Sequence, residues 1–459
     1  MALLIAVSIN ITGQVDDYNS LPSGLSHSKY SDSSDTLITE TKAEKNYWLP
    51  AAEVIGLNIT IWSYSKFITQ KDFANIGFNS ISNNFKTGFV WDTDQYLTNQ
   101  FLHPFHGSNY YNIARSNGLE FWEAAPYSFG GSLMWEYFME NEPPSYNDIV
   151  NTPVSGIILG EISYRVSNLI IDESSSGFER VIREFTSTLI NPMLGLNRML
   201  NGNMWHLGSS SINPDYTIDL TLGSHSVFIN NEINNSSSYI HLGFELEYGK
   251  QIEVSKHNSP FDFFTVRSDF NVNSEDYIVG IFASGVLWDD KIKLFKASEN
   301  IIGIYKEIDF LINDVYKLSA TSVTGQLINT VSLSDNLSMI NFLGTSVILM
   351  GGTNSQYATE VGKNYNLGPG ASAKAGVKLL LKNIGSVFLN YKRYWIHTLN
   401  GAESEEFVGL LNTGISFNLC KNTDLELNAL LYERFGIYKY FPDTQNSNSA
   451  VRIFISHTI

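Results

Sequence analysis

The chain has almost no cysteine, little charge and no long apolar run, and each shortage removes a class of protein. One cysteine, Cys420, in 459 residues excludes an intrachain disulfide framework and a cysteine zinc cage. It lies in a strand-like run and reads as a small buried hydrophobe. No uninterrupted apolar stretch reaches the roughly 18 residues that suggest a membrane-crossing helix. Charged residues make up 16% of the chain, well under the roughly 25% of ordinary soluble domains. Cations are the scarcer sign: 29 Lys and Arg face 46 Asp and Glu, for a net charge of −17. That balance repels phosphate and argues against nucleic acid as a partner. A phosphate-cradling glycine loop, a nucleophile elbow and a zincin motif are also absent. Gly351-Gly352 and Gly368-Pro369-Gly370 read as turn material.

What is abundant is aromatic, 13% of residues, and alternating. Ile240, Leu242, Phe244, Leu246 and Tyr248 fall on one face of an extended segment, with His241, Gly243, Glu245, Glu247 and Gly249 on the other. Side chains of a strand point alternately to its two faces, so this segment has an apolar and a polar side. Ala371 to Leu381 repeats the pattern, with Lys374, Lys378 and Lys382 on the polar face. So do Tyr216 to Leu222, Tyr277 to Leu287, Phe407 to Leu419 and Leu425 to Glu433, punctuated by Asn400-Gly401 and Asn422-Thr423-Asp424. The run Val451 to Ile459 is also strand-like and suits a last strand that seals against the first. These runs predict about ten to fourteen strands of the length that a tilted membrane strand requires. A soluble β-sandwich or periplasmic barrel would carry the same alternation.

The first half follows another rhythm. Leu3 to Ile9, followed by Asn10 to Gln14, reads as the remnant of a secretory signal over residues 1–14. Residues 15–45, rich in Ser, Asp, Thr and Lys, read as a flexible leader. Helices are expected over 47–66, 107–117, 127–140 and 177–190, the last stopped by Asn191-Pro192. Ser145-Tyr146-Asn147-Asp148 resembles a capping box, Thr152-Pro153 offers a second start, and Ser155, Gly156 and Gly160 are small enough for close helix contact. The fold class is therefore mainly β with a helical block: an antiparallel, outer-membrane type barrel at 206–459, preceded at 46–205 by a helix-rich plug or rim.

Chemistry-bearing residues concentrate in that block. His103, His106 and Ser108 lie within six positions, and a histidine that activates a serine hydroxyl is the minimum for acyl transfer, with Asp94 as an orienting carboxylate. His103 and His106 could instead share a metal with Asp92, Asp94 or Glu123. Pro104 between the two histidines argues against a regular helix there. Asp92, Arg115, Glu123, Glu136, Glu161 and Arg165 interrupt apolar, aromatic surroundings, where a charge is either paired or functional. The structural reading is a network with pairs such as Glu161 to Arg165 or Glu136 to Arg115.

The same motifs resemble the bacterial DUF3943 family, a domain of unknown function. The resemblance rests on Trp91-Asp92-Thr93-Asp94, Asn99-Gln100, His103-Pro104-Phe105-His106-Gly107-Ser108, Tyr110-Tyr111 and Ala114 to Gly118. It continues through Phe121-Trp122-Glu123, Trp135-Glu136, Asn147-Asp148, Gly160-Glu161, Tyr164-Arg165 and Gly177 to Arg198, spanning roughly residues 45–205. Phe105 stands where a tyrosine is expected. The resemblance implies an envelope protein of Gram-negative bacteria and brings no activity or cofactor with it. Three functions stay open: an outer-membrane barrel in a structural, transport or assembly role surrounded by outer-membrane lipids, a lipid-acting hydrolase or acyltransferase at His103, His106 and Ser108, or a soluble periplasmic binding protein.

Overall fold

The computed structural model describes residues 45–91, 94–209, 214–251, 257–274, 277–294, 298–357 and 364–459. The expected signal, all but the last residue of the leader, and Asp92 lie outside the described residues. Seven α-helices come first: α1 (Trp48–Ser63), α2 (Phe78–Thr87), α3 (His103–Ser116), α4 (Phe121–Phe138), α5 (Tyr146–Ile170), α6 (Gly177–Ile190) and α7 (Pro192–Leu200). Twelve strands follow: β1 (Tyr216–Phe228), β2 (Ser236–Tyr248), β3 (Phe264–Val272), β4 (Ile278–Ile292), β5 (Ser298–Ile312), β6 (Lys317–Ser334), β7 (Leu337–Asn354), β8 (Tyr365–Leu381), β9 (Gly385–His397), β10 (Ser404–Cys420), β11 (Thr423–Tyr438) and β12 (Thr444–Thr458). Each pairs antiparallel with its neighbours in sequence, and β1 pairs with β12, so the sheet closes into a barrel without an edge.

Local signals account for most helix ends. Ser145 caps α5, its hydroxyl accepting from the Asp148 amide at 3.2 Å, and the Asn191 side chain caps α7 ahead of Pro192. Pro104 does not break the helix between the two histidines. It follows the π-helical turn Thr98–Leu102, and the helical run continues through it into α3. Nor does Thr152-Pro153 start a new helix, since α5 runs through Pro153 as one element. The paired glycines also differ from expectation. Gly351-Gly352 and Gly368-Pro369-Gly370 lie within β7 and β8, where the ladder carries a bulge between Ile348 and Gly351. Cys420, at the end of β10, is exposed rather than buried.

The two sides of the wall can be told apart without ambiguity. Lys374 on β8 and Lys392 on β9 both reach Glu307 on β5, three and four strands away, so these side chains meet across the lumen. Residues in phase with Glu307 point inward and those out of phase point outward. The helical block lies on the outward side. In register across seven strands, Met350, Thr321, Ile308, Ala283, Val266, Leu246 and Ile218 form one row perpendicular to the strands. Val150 of α5 packs by Met350, Ser155 Oγ bonds Thr321 Oγ1 at 2.6 Å, and Ile158 and Ile162 share a cluster with Leu246, Val266, Ala283 and Ile308. Six strand spacings of about 4.8 Å make roughly 29 Å, close to the rise of about 20 helical residues at 1.5 Å each. α5 is thus laid across the outer wall. A helix-rich block precedes the barrel, and its seat is that wall rather than the lumen or the mouth, because α5 packs on outward-facing residues of the strands.

Candidate functional site

Three polar centres lie within or beneath the helical block, and the residues singled out in the sequence divide among them. The first is ionic. Glu161, fully buried on α5, accepts from Arg115 Nε at 2.8 Å, from Arg165 Nε at 2.7 Å and from the Tyr111 hydroxyl at 2.8 Å. Arg165 continues to Asp262 Oδ1 at 3.1 Å and the Pro260 carbonyl at 2.9 Å, in the connection between β2 and β3. Arg115 pairs with Glu161, not with Glu136, and its guanidinium lies 4.3 Å from the Tyr164 ring centroid. This cluster ties α3 and α5 to each other and to the barrel.

The second centre gathers at the start of α5, beside the first residue of β8. The Glu136 carboxylate accepts the Ser145 amide at 2.8 Å, at the positive end of the α5 dipole. Asn147 Nδ2 donates to Asn99 Oδ1 at 2.8 Å, Asn99 Nδ2 donates to the Tyr365 hydroxyl at 2.7 Å, and that hydroxyl bonds the Asp94 carbonyl. Asn151 adds a bond to the Asn99 carbonyl, and Ser155 Oγ donates to Asn151 Oδ1 at 2.7 Å. Asn147, Asn151 and Ser155 recur every four residues, one face of a helix. That spacing was legible and is the signal through which this ladder could have been found. His103 joins here, 3.1 Å from Asp94 Oδ2 and 3.5 Å from Asp148 Oδ1.

The candidate catalytic group does not assemble as a relay. Ser108 is buried and its hydroxyl donates to the Phe105 carbonyl at 2.7 Å; neither imidazole shares a hydrogen bond with it. His106 turns away from His103 and packs on the rings of Tyr110 and Trp135, with Nε2 buried and unpartnered. Glu123 is remote from both. It accepts from Lys45 and from the Tyr47 hydroxyl near the start of α1. Among the described residues no group of three or more His, Cys, Asp or Glu is placed to hold a metal ion.

The two histidines, both on α3 and outside the strands, differ in charge. Burial opposes protonation of His103, but the carboxylates of Asp148 and Asp94 outweigh it and push its pKa up to about 10. Burial, with the charge of His103 nearby, pushes His106 down to about 3. An unfolded histidine titrates near about 6.5. The contribution of His103 to stability is therefore fully present below that value and is lost as pH rises through about 10. In nitrogen NMR of histidine-labelled protein at about pH 8, where a free imidazole is neutral, His103 is expected as an imidazolium and His106 as a neutral ring. A neutral His103 would contradict its placement between two carboxylates.

A third centre, α6 and α7, holds Arg180, Glu184 and Arg198. Glu184 bridges Arg180 at 3.0 Å and Arg198 at 2.9 Å, and Arg180 also donates to the carbonyls of Asp172 and Asn203.

The lumen carries its own network. Lys392 binds Asp309 at 2.6 Å and Glu307 at 3.4 Å, Lys374 binds Glu307, and Arg434 binds Glu406 at 3.1 Å. A cavity of about 200 Å³ lies among Glu245, Arg267, Glu307, Lys392, Tyr432 and Arg452. Toward the rim where β8 begins, the lumen is filled by a cluster that includes Tyr316, Leu318, Tyr394, Ile396, Val408 and Tyr432.

A family model described as a domain of unknown function, DUF3943, matches residues 88–193, which places the family's footprint on the helical block from the approach to α3 through the start of α7. No curated protein matches the sequence. Among solved structures, the NanC porin aligns at 12% identity and a TM-score of 0.29, over 52% of this chain and 98% of its own. An outer membrane channel from Pseudomonas putida F1 aligns at 8% identity and a TM-score of 0.30, over 54% and 97%. The outer membrane channel DcaP of Acinetobacter baumannii aligns at 8% and 0.25, over 55% and 99%.

Proposed function

We propose that this chain is an outer-membrane barrel with a closed lumen that acts as a scaffold for its helical block rather than as a diffusion pore. The observation that carries the reading is the set of ion pairs spanning the lumen, Lys374 and Lys392 to Glu307 and Asp309, beside a tightly packed aromatic and aliphatic cluster. A diffusion channel needs a water-filled interior. Outward, the part of the wall clear of the helices exposes Leu220, Leu222, Leu425, Leu427, Ile453 and Ile455, the apolar belt that a bilayer requires. Outer-membrane lipids are thus the proposed surroundings, and nothing in the charge balance invites nucleic acid. Fractionated cells should yield the protein in the outer membrane with heat-modifiable gel migration. Reconstituted into planar bilayers it should give no sustained channel steps. Stable, ion-selective conductance from folded protein would overturn the closed-scaffold reading.

A further inference from the structure

Four helices of the block turn large apolar residues outward and polar ones inward. On α6, Phe178, Val181, Ile182 and Phe185 occupy positions i, i+3, i+4 and i+7 and are exposed, whereas Arg180, Glu184 and Ser187 are buried. α4 does the same, with Trp122, Phe129 and Leu133 outward and Ser128, Ser132 and Glu136 inward. α7 exposes Leu196, Met199 and Leu200 while burying Asn197, and α1 exposes Ile55 and Ile59 while burying Asn58. A helix that faces water arranges these residue types the other way round. Phe178 is 78% exposed and Phe185 59%, so most of each ring is left uncovered by the described residues.

We infer that the outward apolar faces of α1, α4, α6 and α7 are immersed in bilayer hydrocarbon, with the block seated against the outer wall of the barrel and acyl chains as the solvent of those faces. The inference rests on the barrel's being a membrane barrel. The choice of lipid over a protein partner comes from geometry. The apolar faces belong to four separate helices, whereas a protein partner of ordinary size covers one patch of about 800 Å². They are also on the same outward side as the belt of Leu425, Leu427, Ile453 and Ile455 on the uncovered strands. In hydrocarbon the helical backbone satisfies its own amides and carbonyls. Association then relies on small residues and buried polar bonds, which is how these helices meet: Gly107 against Gly156, Ser155 against Thr321, Glu161 between two arginines. No helix among the described residues is long and apolar enough to cross a membrane. The block therefore lies beside the barrel, anchored by it, rather than spanning independently.

The test is spin-label accessibility on the full chain in phosphatidylcholine vesicles. In a Cys420→Ser background, nitroxides are placed at Phe185→Cys, Met199→Cys and Leu133→Cys, with Ile453→Cys as the barrel-belt reference and Glu232→Cys as the loop reference. Heat-modifiable migration selects the variants that have folded, and three helix positions keep the test intact if one does not. Collisions with oxygen should exceed those with a water-soluble nickel chelate at the helix positions as they do at Ile453→Cys, several-fold above the ratio at Glu232→Cys. Nickel accessibility at the helix positions with a lipid-exposed Ile453→Cys would overturn the inference alone. Nickel accessibility at all four would overturn the membrane reading beneath it. Spin–spin broadening that disappears on dilution with unlabelled protein would assign the faces to a second copy and overturn the inference as well.

Discussion

Glu161→Ala is expected to lower the stability of the helical block by about 3–5 kcal/mol, the usual cost of removing one partner from a buried ionic cluster. The carboxylate accepts from Arg115, Arg165 and Tyr111 and is fully buried. Its loss leaves two cations and a hydroxyl facing one another without their shared carboxylate, with Arg115 keeping only the Leu119 carbonyl as an acceptor. Arg165 still reaches Asp262 and the Pro260 carbonyl, so it keeps part of its coordination. The helical far-ultraviolet signal should melt at a markedly lower temperature in detergent micelles, while the barrel keeps its heat-modifiable migration. Glu161→Gln keeps the shape and one acceptor and should fall between the two. An unchanged melt for Glu161→Ala would show that the cluster does not hold the block on the wall.

Gly107→Val is expected to be a severely damaging steric change. A β-carbon at Gly107 would stand 1.9 Å from the Thr152 carbonyl oxygen, and one at Gly156 would stand 2.6 Å from the Gly107 carbonyl carbon. Both obstacles are backbone, so the helices must separate, and every bond between α3 and α5 lengthens with them. Overpacking of this kind costs roughly 3 kcal/mol or more when no flexible side chain can yield. Gly130 provides the contrast, because a β-carbon added there would meet nothing within 4 Å. Gly130→Ala should be neutral or stabilising by up to about 1 kcal/mol through helix propensity. The two melts, measured side by side, separate a steric effect from a general intolerance of glycine replacement.

The barrel was legible because strand alternation survives at single-residue resolution. Lys374 and Lys378 alternate with Ala373, Ala375 and Val377, and a period of two leaves one choice of inward face. Twelve strands fall within the expected ten to fourteen. The helix start at Ser145 and the stop at Asn191 were legible for a similar reason, since helix ends are set by bonds between near neighbours. The glycine pairs misled because they read as turns only when the ladder beside them is ignored. At Gly351-Gly352, pairing with β6 and β8 carries the strand through.

The candidate site was harder to read, since proximity along the chain says little about direction. His103, His106 and Ser108 lie on one helix, yet one imidazole faces two carboxylates, the other faces two aromatic rings, and the hydroxyl bonds a carbonyl within its own turn. The Arg115 to Glu161 pair spans 46 positions, and which acidic residue the arginine finds depends on how α3 crosses α5. By itself the sequence determined the antiparallel strands and the helix-rich block ahead of them. Periodicity, caps and composition act over a few residues and are written where they act. Only the tertiary structure decided that the block lies along the outer wall, which of its polar side chains turn inward, and that charges from distant strands meet across the lumen. Those outcomes depend on which surfaces meet, and no local pattern records the partner.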